Sequence, residues 1–193
     1  MKSLPVLVIA AVLATACQAP AGAPDMIAAG AAPVQEDAAS RTVDALAAAQ
    51  AAFANGDTDR LARAMHALDA LGVQPDDPAS ATLLQKWESA APDAPAPSRG
   101  RALGPAFRSG ELAAGSMVEL EQTFLAGQGA SIALRTHGGH PVALKVFDGR
   151  AKRLCAKSGE RMACRWTPPY TQRHVIRIDN PRRAAVRYFI SFE

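Results

Sequence analysis

Residues 142–149 run Val142, Ala143, Leu144, Lys145, Val146, Phe147, Asp148, Gly149. Val142, Leu144 and Val146 fall on one side of an extended chain, and Asp148-Gly149 is a turn signal. The same period of two recurs on both sides of this stretch. Val118, Leu120 and Phe124 alternate with Glu119, Glu121 and Thr123, and Ile132 and Leu134 follow. Met162, Cys164 and Trp166 come next, then His174, Ile176 and Ile178, then Val186, Tyr188, Ile190 and Phe192. Gly127-Gln128-Gly129, His137-Gly138-Gly139, Lys157-Ser158-Gly159, Pro168-Pro169 and Asn180-Pro181 break the runs. Short alternating runs with turn signals between them predict about six to eight strands in a jelly roll or an immunoglobulin-sized sandwich.

Upstream the period changes to that of helices. Val43, Leu46, Gln50 and Phe53 share a face of a run from Arg41 to Ala54, and Asn55-Gly56 ends it. Asp57 or Thr58 can cap a second helix carrying Leu61, Met65, Leu68 and Leu71, with Gly72-Val73 as a Schellman-type stop. Asp77-Pro78 reads as an N-cap with proline at the first helical position, ahead of Leu83, Leu84 and Trp87. One helical hairpin of this size has a thin core. It is expected to pack on itself and on the second half, the alternative being a docking surface for a partner. The fold class is therefore α+β, a short helical region followed by an antiparallel sandwich.

The N-terminus reads as an export signal. Lys2 precedes an apolar run from Leu4 to Leu13, which is too short to span a bilayer, and Ala14-Thr15-Ala16 supplies a small-x-small cleavage pattern. Cys17 follows at once, and the run Leu13 to Cys17 resembles a bacterial lipobox, with Ala14 where that family prefers leucine. Lipidation at Cys17 is the expectation; an ordinary cleavage leaving a free thiol is the alternative. Domain boundaries follow: signal peptide 1–16, an Ala/Pro/Gly-rich tether 17–40, helical region 41–91, a Pro-rich linker 92–111 and the sandwich 112–193.

Cys155 and Cys164 are separated by eight residues, enough for a hairpin turning at Ser158-Gly159. They are read as a structural disulfide, because the spacing is not C-x-x-C and no second pair exists. An oxidising compartment follows from that reading, and it leaves Cys17 as the odd cysteine.

Charge divides the chain. Residues 1–98 hold five Lys/Arg against eleven Asp/Glu, a net of −6; residues 99–193 hold sixteen against seven, a net of +9. The whole chain shows only +3. Arg150, Lys152 and Arg153 share one turn, while Arg173, Arg182 and Arg183 come later, and Tyr170 sits in a proline turn. These seven are the candidate binding residues. Their partner is expected to be an anionic envelope polymer, a lipid headgroup or another envelope protein, in the periplasm or at the outer membrane. A soluble periplasmic or secreted protein is the alternative location. Nucleic acid fits the charge but not the compartment. Docking of the basic half against the acidic helices of the same chain is the structural alternative.

Catalysis and cofactors find no support. No G-x-S-x-G, H-E-x-x-H or P-loop spacing occurs. His137 and His140 share a loop but lack a third ligand nearby, and His66 sits on a helix beside Met65. Trp166 is in register with Cys164 and Met162 and is read as core rather than as a sugar platform.

The order of an alternating strand, residues 142–149, Cys155, then Cys164 to Pro168, Val175 to Asn180 and Arg187 to Ser191 resembles the bacterial pre-peptidase C-terminal domain. The resemblance covers roughly residues 112–193. It implies a non-catalytic extracytoplasmic β-sandwich, used for binding or as a purely structural accessory. Members often place several Asp before the Asp-Gly turn, some able to hold calcium. Here only Asp148 is acidic in that stretch, so no calcium site is expected.

Overall fold

The computed structural model describes residues 36–91 and 104–193. The expected signal sequence, Cys17 and most of the expected tether and linker lie outside them. The described residues build three helices and nine strands: α1 (Ala38–Ala54), α2 (Thr58–Leu71), β1 (Gln74–Pro75), α3 (Pro78–Ala90), β2 (Ala106–Leu112), β3 (Met117–Phe124), β4 (Ala130–Thr136), β5 (Val142–Phe147), β6 (Arg153–Gly159), β7 (Arg161–Trp166), β8 (Gln172–Asp179) and β9 (Val186–Phe192).

The helix ends obey local chemistry. Asp37, Asp57 and Asp77 each cap a helix by accepting the backbone N–H three residues on. Gly72 adopts φ 67°, and Val73 N donates to Leu68 O at 3.2 Å, which is the Schellman stop expected there.

Two sheets face each other, ordered β1-β2-β9-β4-β7 and β3-β8-β5-β6. Apart from the short parallel β1, all pairs are antiparallel and the eight longer strands divide four and four. That order is a jelly roll, in which Greek-key connections carry the chain from one sheet to the other. Ile132, Leu134, Leu144, Ile176, Ile178 and Ile190 are fully buried between the sheets.

A second core lies on the far side of the first sheet. Val43, Leu46, Leu61, Met65, Leu68 and Trp87 from the helices pack on Phe107, Ala133 and Phe189 from β2, β4 and β9. Trp87 and Phe189 are both fully buried, with ring centroids 6.1 Å apart. The molecule thus has three layers: helices, first sheet, second sheet. The helices close on the strands, and the described residues form one compact unit.

Three expectations change. The first helix starts at Ala38, inside the span read as tether, because Asp37 supplies its cap. The span read as linker contains all but the last residue of β2, which pairs with β9 along its full length and with β1 from the helical region. Its alternation is blurred by Gly110 and by polar residues, and Gly110 is required where Tyr188 crosses: a Cβ there would lie 2.6 Å from the Tyr188 hydroxyl. Finally, β6 and β7 are not a hairpin. They belong to different sheets, so the turn at Gly159-Glu160 is a corner, and the Cys155–Cys164 disulfide (Cα–Cα 6.1 Å) ties the edge of one sheet to the edge of the other.

Candidate basic end of the sandwich

The structure sorts the basic residues of the second half into those that are paired and those that are not. Four pair with acids from the helical region. Arg135 and Arg161 both hold Asp44; Arg161 also reaches Glu36 at 2.6 Å, Arg165 reaches Asp37, and Arg108 reaches Asp76 at 2.6 Å. Burial pushes the Asp37 carboxyl up, but hydrogen bonds from Arg165, Ser131 and Ser40 outweigh it and hold the group well below the usual carboxylate range. Asp44 is likewise raised by burial and lowered more by Arg161 and Arg135. Much of the acidic charge of the helices is therefore used inside the molecule, against the first sheet.

Four more pair within the sandwich: Arg177 with Glu119 (2.7 Å), Arg173 with Glu121 (2.9 Å), Lys145 with Asp179 (2.9 Å) and Arg187 with Glu111 (3.5 Å). Arg177 also lies over the Phe147 ring at 5.1 Å. Among the described residues no carboxylate sits within ion-pairing distance of the side chains of Arg150, Lys152, Arg153, Lys157, Arg182 or Arg183.

The seven candidate residues divide between two ends. Arg150 and Lys152 sit on the turn between β5 and β6, and Arg153 is the first residue of β6. Gly149 approaches Gln172 and Arg173, because β5 and β8 are neighbours. Tyr170 lies two residues before β8 in the loop after β7, and is 65% exposed. Arg173 opens β8. These five share one end. Arg182 and Arg183 lie in the loop leaving β8 at its other end, where Gly115 N donates to Arg182 O. Eight residues of β8 separate the groups, roughly 25 Å at strand rise.

The β5–β6 turn is held in shape by its own aspartate. Asp148 accepts backbone N–H bonds from Arg150 and Lys152, both at 2.9 Å, and Ala151 takes a left-handed φ of 60°. The turn closes with Ala151 N on Asp148 O and Asp148 N on Lys152 O. The Lys152 amide is the main reason that the Asp148 carboxyl falls below its ordinary range. Asp148 is thus a turn former whose side chain is engaged, and Arg150 and Lys152 project from a fixed loop. Beside it is an open depression of about 420 Å³ lined by Glu121, Phe147, Asp148, Gly149 and Arg173.

Beneath this end sits a residue that the sequence reading treated only as strand. His174 is fully buried and edge-on to Phe124, with centroids 5.3 Å apart. Trp166 Nε1 donates to His174 Nε2 at 3.3 Å, and His174 Nδ1 lies 3.1 Å from Gln172 O. These contacts assign the proton to Nδ1. Trp166, half-buried, meets Phe124 at 4.9 Å, so the three rings plug the sandwich and support the loops above. The clue was that His174 alternates in phase with Ile176 and Ile178. His137 and His140 lie in the β4–β5 loop and His66 is exposed on α2; among the described residues no three His, Cys, Asp or Glu side chains converge on one point.

No protein-family model matches the chain, and no curated protein matches it. Solved structures do. The pre-peptidase C-terminal domain of a collagenase from Bacillus anthracis is similar over 45% of this chain and 87% of its own, at 9% identity and a TM-score of 0.41. PliG of Aeromonas hydrophila, a periplasmic inhibitor of g-type lysozyme, is similar over 46% of this chain and 84% of its own, at 15% identity and a TM-score of 0.37. A mitogen from Yersinia pseudotuberculosis shows the same coverage and TM-score at 13% identity.

Proposed function

We propose that this chain is an extracytoplasmic, non-catalytic binding module, tethered through Cys17, that uses one end of its jelly roll to contact an anionic component of the cell envelope. The observation that carries this reading is the division of charge. Acids of the helical region pair with Arg108, Arg135, Arg161 and Arg165 of the first sheet, and the sandwich's own acids pair with Arg187 there and with Lys145, Arg173 and Arg177 of the second. Among the described residues Arg150 and Lys152 on the β5–β6 turn and Arg153 beside it are left with no acid partner, the one such group of three; Lys157, Arg182 and Arg183 lie elsewhere. Unpaired cations on a preformed loop bind anions at low ordering cost. The disulfide fits an oxidising compartment. Among the described residues no helix is long and apolar enough to cross a membrane. The Cys164, Trp166, Pro168 segment supports reading the sandwich as similar to the pre-peptidase C-terminal domain.

Retention on heparin, a soluble polyanion, tests the reading. The wild-type chain should be retained and should elute earlier as salt rises. Replacing Arg150, Lys152 and Arg153 together by alanine should abolish retention while leaving the fold intact. Equal retention of that triple variant would refute the assignment. The mass of the mature chain reports separately whether Cys17 is acylated.

A further inference from the structure

The geometry points to the surface of an anionic lipid bilayer as what this basic end contacts, with Leu125 and Tyr170 entering the headgroup layer and the cations of the β5–β6 turn meeting the phosphates. The inference rests on the reading of the basic end as an anion-binding surface and narrows it to a membrane. Three observations carry it.

The first is where the apolar side chains are. Among the described residues four large hydrophobic side chains are exposed: Tyr170 (65%), Met117 (52%), Leu125 (51%) and Leu154 (38%). Single exposed hydrophobics are ordinary. Here three of the four collect at one end. Leu125 follows the last residue of β3, Phe124, which pairs with Gln172, and Ala126 N donates to the Thr171 hydroxyl at 3.0 Å. Leu125 and Tyr170 therefore crown the same end of the β3–β8 ladder. Leu154 is the second residue of β6, next to Arg153.

The second is the company they keep. Arg150, Lys152 and Arg153 lie at the same end as these apolar groups, with Arg173 held by Glu121 at 2.9 Å. An apolar tip flanked by unpaired cations suits an interface whose interior is hydrocarbon and whose rim is phosphate. A soluble polyanion would use the cations and leave Leu125 and Tyr170 idle.

The third is the direction from which the chain enters. Asp37, the N-cap of α1, accepts hydrogen bonds from Ser131 at the start of β4 and from Arg165 at the end of β7. Both positions border the loops that carry Leu125 and Tyr170. From there α1 runs along β4 toward the opposite end, with Asp44 at Arg135 and Gln50 at Arg187. Whatever precedes Glu36 is thus joined to the fold at the end that carries the exposed apolar and basic groups.

The test uses the exported chain with Cys17→Ser, so that no acyl chain contributes. Cosedimentation with phosphatidylglycerol–phosphatidylcholine vesicles should show partition that is absent with phosphatidylcholine alone. Arg150→Ala, Lys152→Ala and Arg153→Ala together should lower partition by about 100-fold. Leu125→Ser with Tyr170→Ser should lower it by about tenfold. Arg182→Ala with Arg183→Ala, more than a Debye length away, should change it by less than about twofold. A Tyr170→Trp chain should show blue-shifted emission on the anionic vesicles. Retention on heparin without vesicle binding would overturn the membrane assignment and leave the anion-binding function standing. Vesicle binding that ignores Leu125→Ser/Tyr170→Ser, with no blue shift, would overturn insertion. Binding to neither heparin nor vesicles would remove the underlying reading itself.

Discussion

The two sheets of this jelly roll have strands of similar length and share one core, yet they meet different surroundings on their outer faces. On the first sheet, Phe107, Ala133 and Phe189 point outward into a layer of helices, and Arg135, Arg161 and Arg165 reach over to helical acids. On the second, β3, β5 and β8 present Glu119, Glu121, Lys145, Arg173 and Arg177 to water as cross-strand ion pairs. The contrast shows in β9, buried at six of its seven positions, against β3, which alternates. A sheet covered on both faces is apolar on both, whereas a sheet with a wet face alternates. The same charged residue types therefore do different work. Over the first sheet they fix a layer; over the second they keep a surface soluble.

The strongest way to break this comparison is to loosen the joint between helices and first sheet. Trp87→Ala removes a fully buried ring that packs on Phe189 and should cost about 3–5 kcal/mol, read from urea unfolding. A cost below about 1 kcal/mol would mean that the helices are not part of the fold's cooperative unit.

The disulfide comes next, because it joins the two sheets rather than two strands of one. Replacing Cys155 and Cys164 by alanine together should cost about 2–3 kcal/mol on the loop-closure model. Calorimetry checks it, and the loss should appear as one lowered transition, since both sheets share the core.

Acid should then sharpen the difference. Asp37 and Asp44 are held below their unfolded range, so the folded chain binds these protons less readily than the unfolded one. Their contribution is complete above about pH 4 and is lost as the pH falls further. Both groups are partly exposed, so the loss should be about 1 kcal/mol together. Asp37→Asn with Asp44→Asn should flatten that part of the stability–pH curve. The smallest effect belongs to the wet face: Glu119→Gln, at an exposed pair with Arg177, should change stability by less than about 0.5 kcal/mol in the same urea assay.

The wet sheet was the legible one. The alternation in residues 117–124 and 172–179 gives its strands directly, because one face meets water. On the covered sheet only the inward half could be read: Ile132, Leu134, Tyr188 and Ile190 announce themselves, whereas Phe189 and Ala133 face helices and break the period. Strand β2 was missed because Arg108, Ser109, Gly110 and Glu111 carry no alternation, and its place is fixed by pairing with β9. The separation of β6 from β7 was hidden for a related reason: a turn and a corner share the same glycine signal, and only long-range pairing tells them apart. Within the candidate site, the residue types were visible but not their grouping. Arg182 and Arg183 look like neighbours of Arg173 in sequence, and the length of β8 sets them at the far end. Leu125 carried no signal, being one apolar residue after a strand.

Amide hydrogen exchange of the Cys17→Ser chain, with and without phosphatidylglycerol vesicles, tests the central claim most directly. New protection should be confined to residues 125–129, 148–154 and 167–171, with α1, α2 and the loop holding Arg182 and Arg183 unchanged. Protection centred on the helices or on that loop would contradict it.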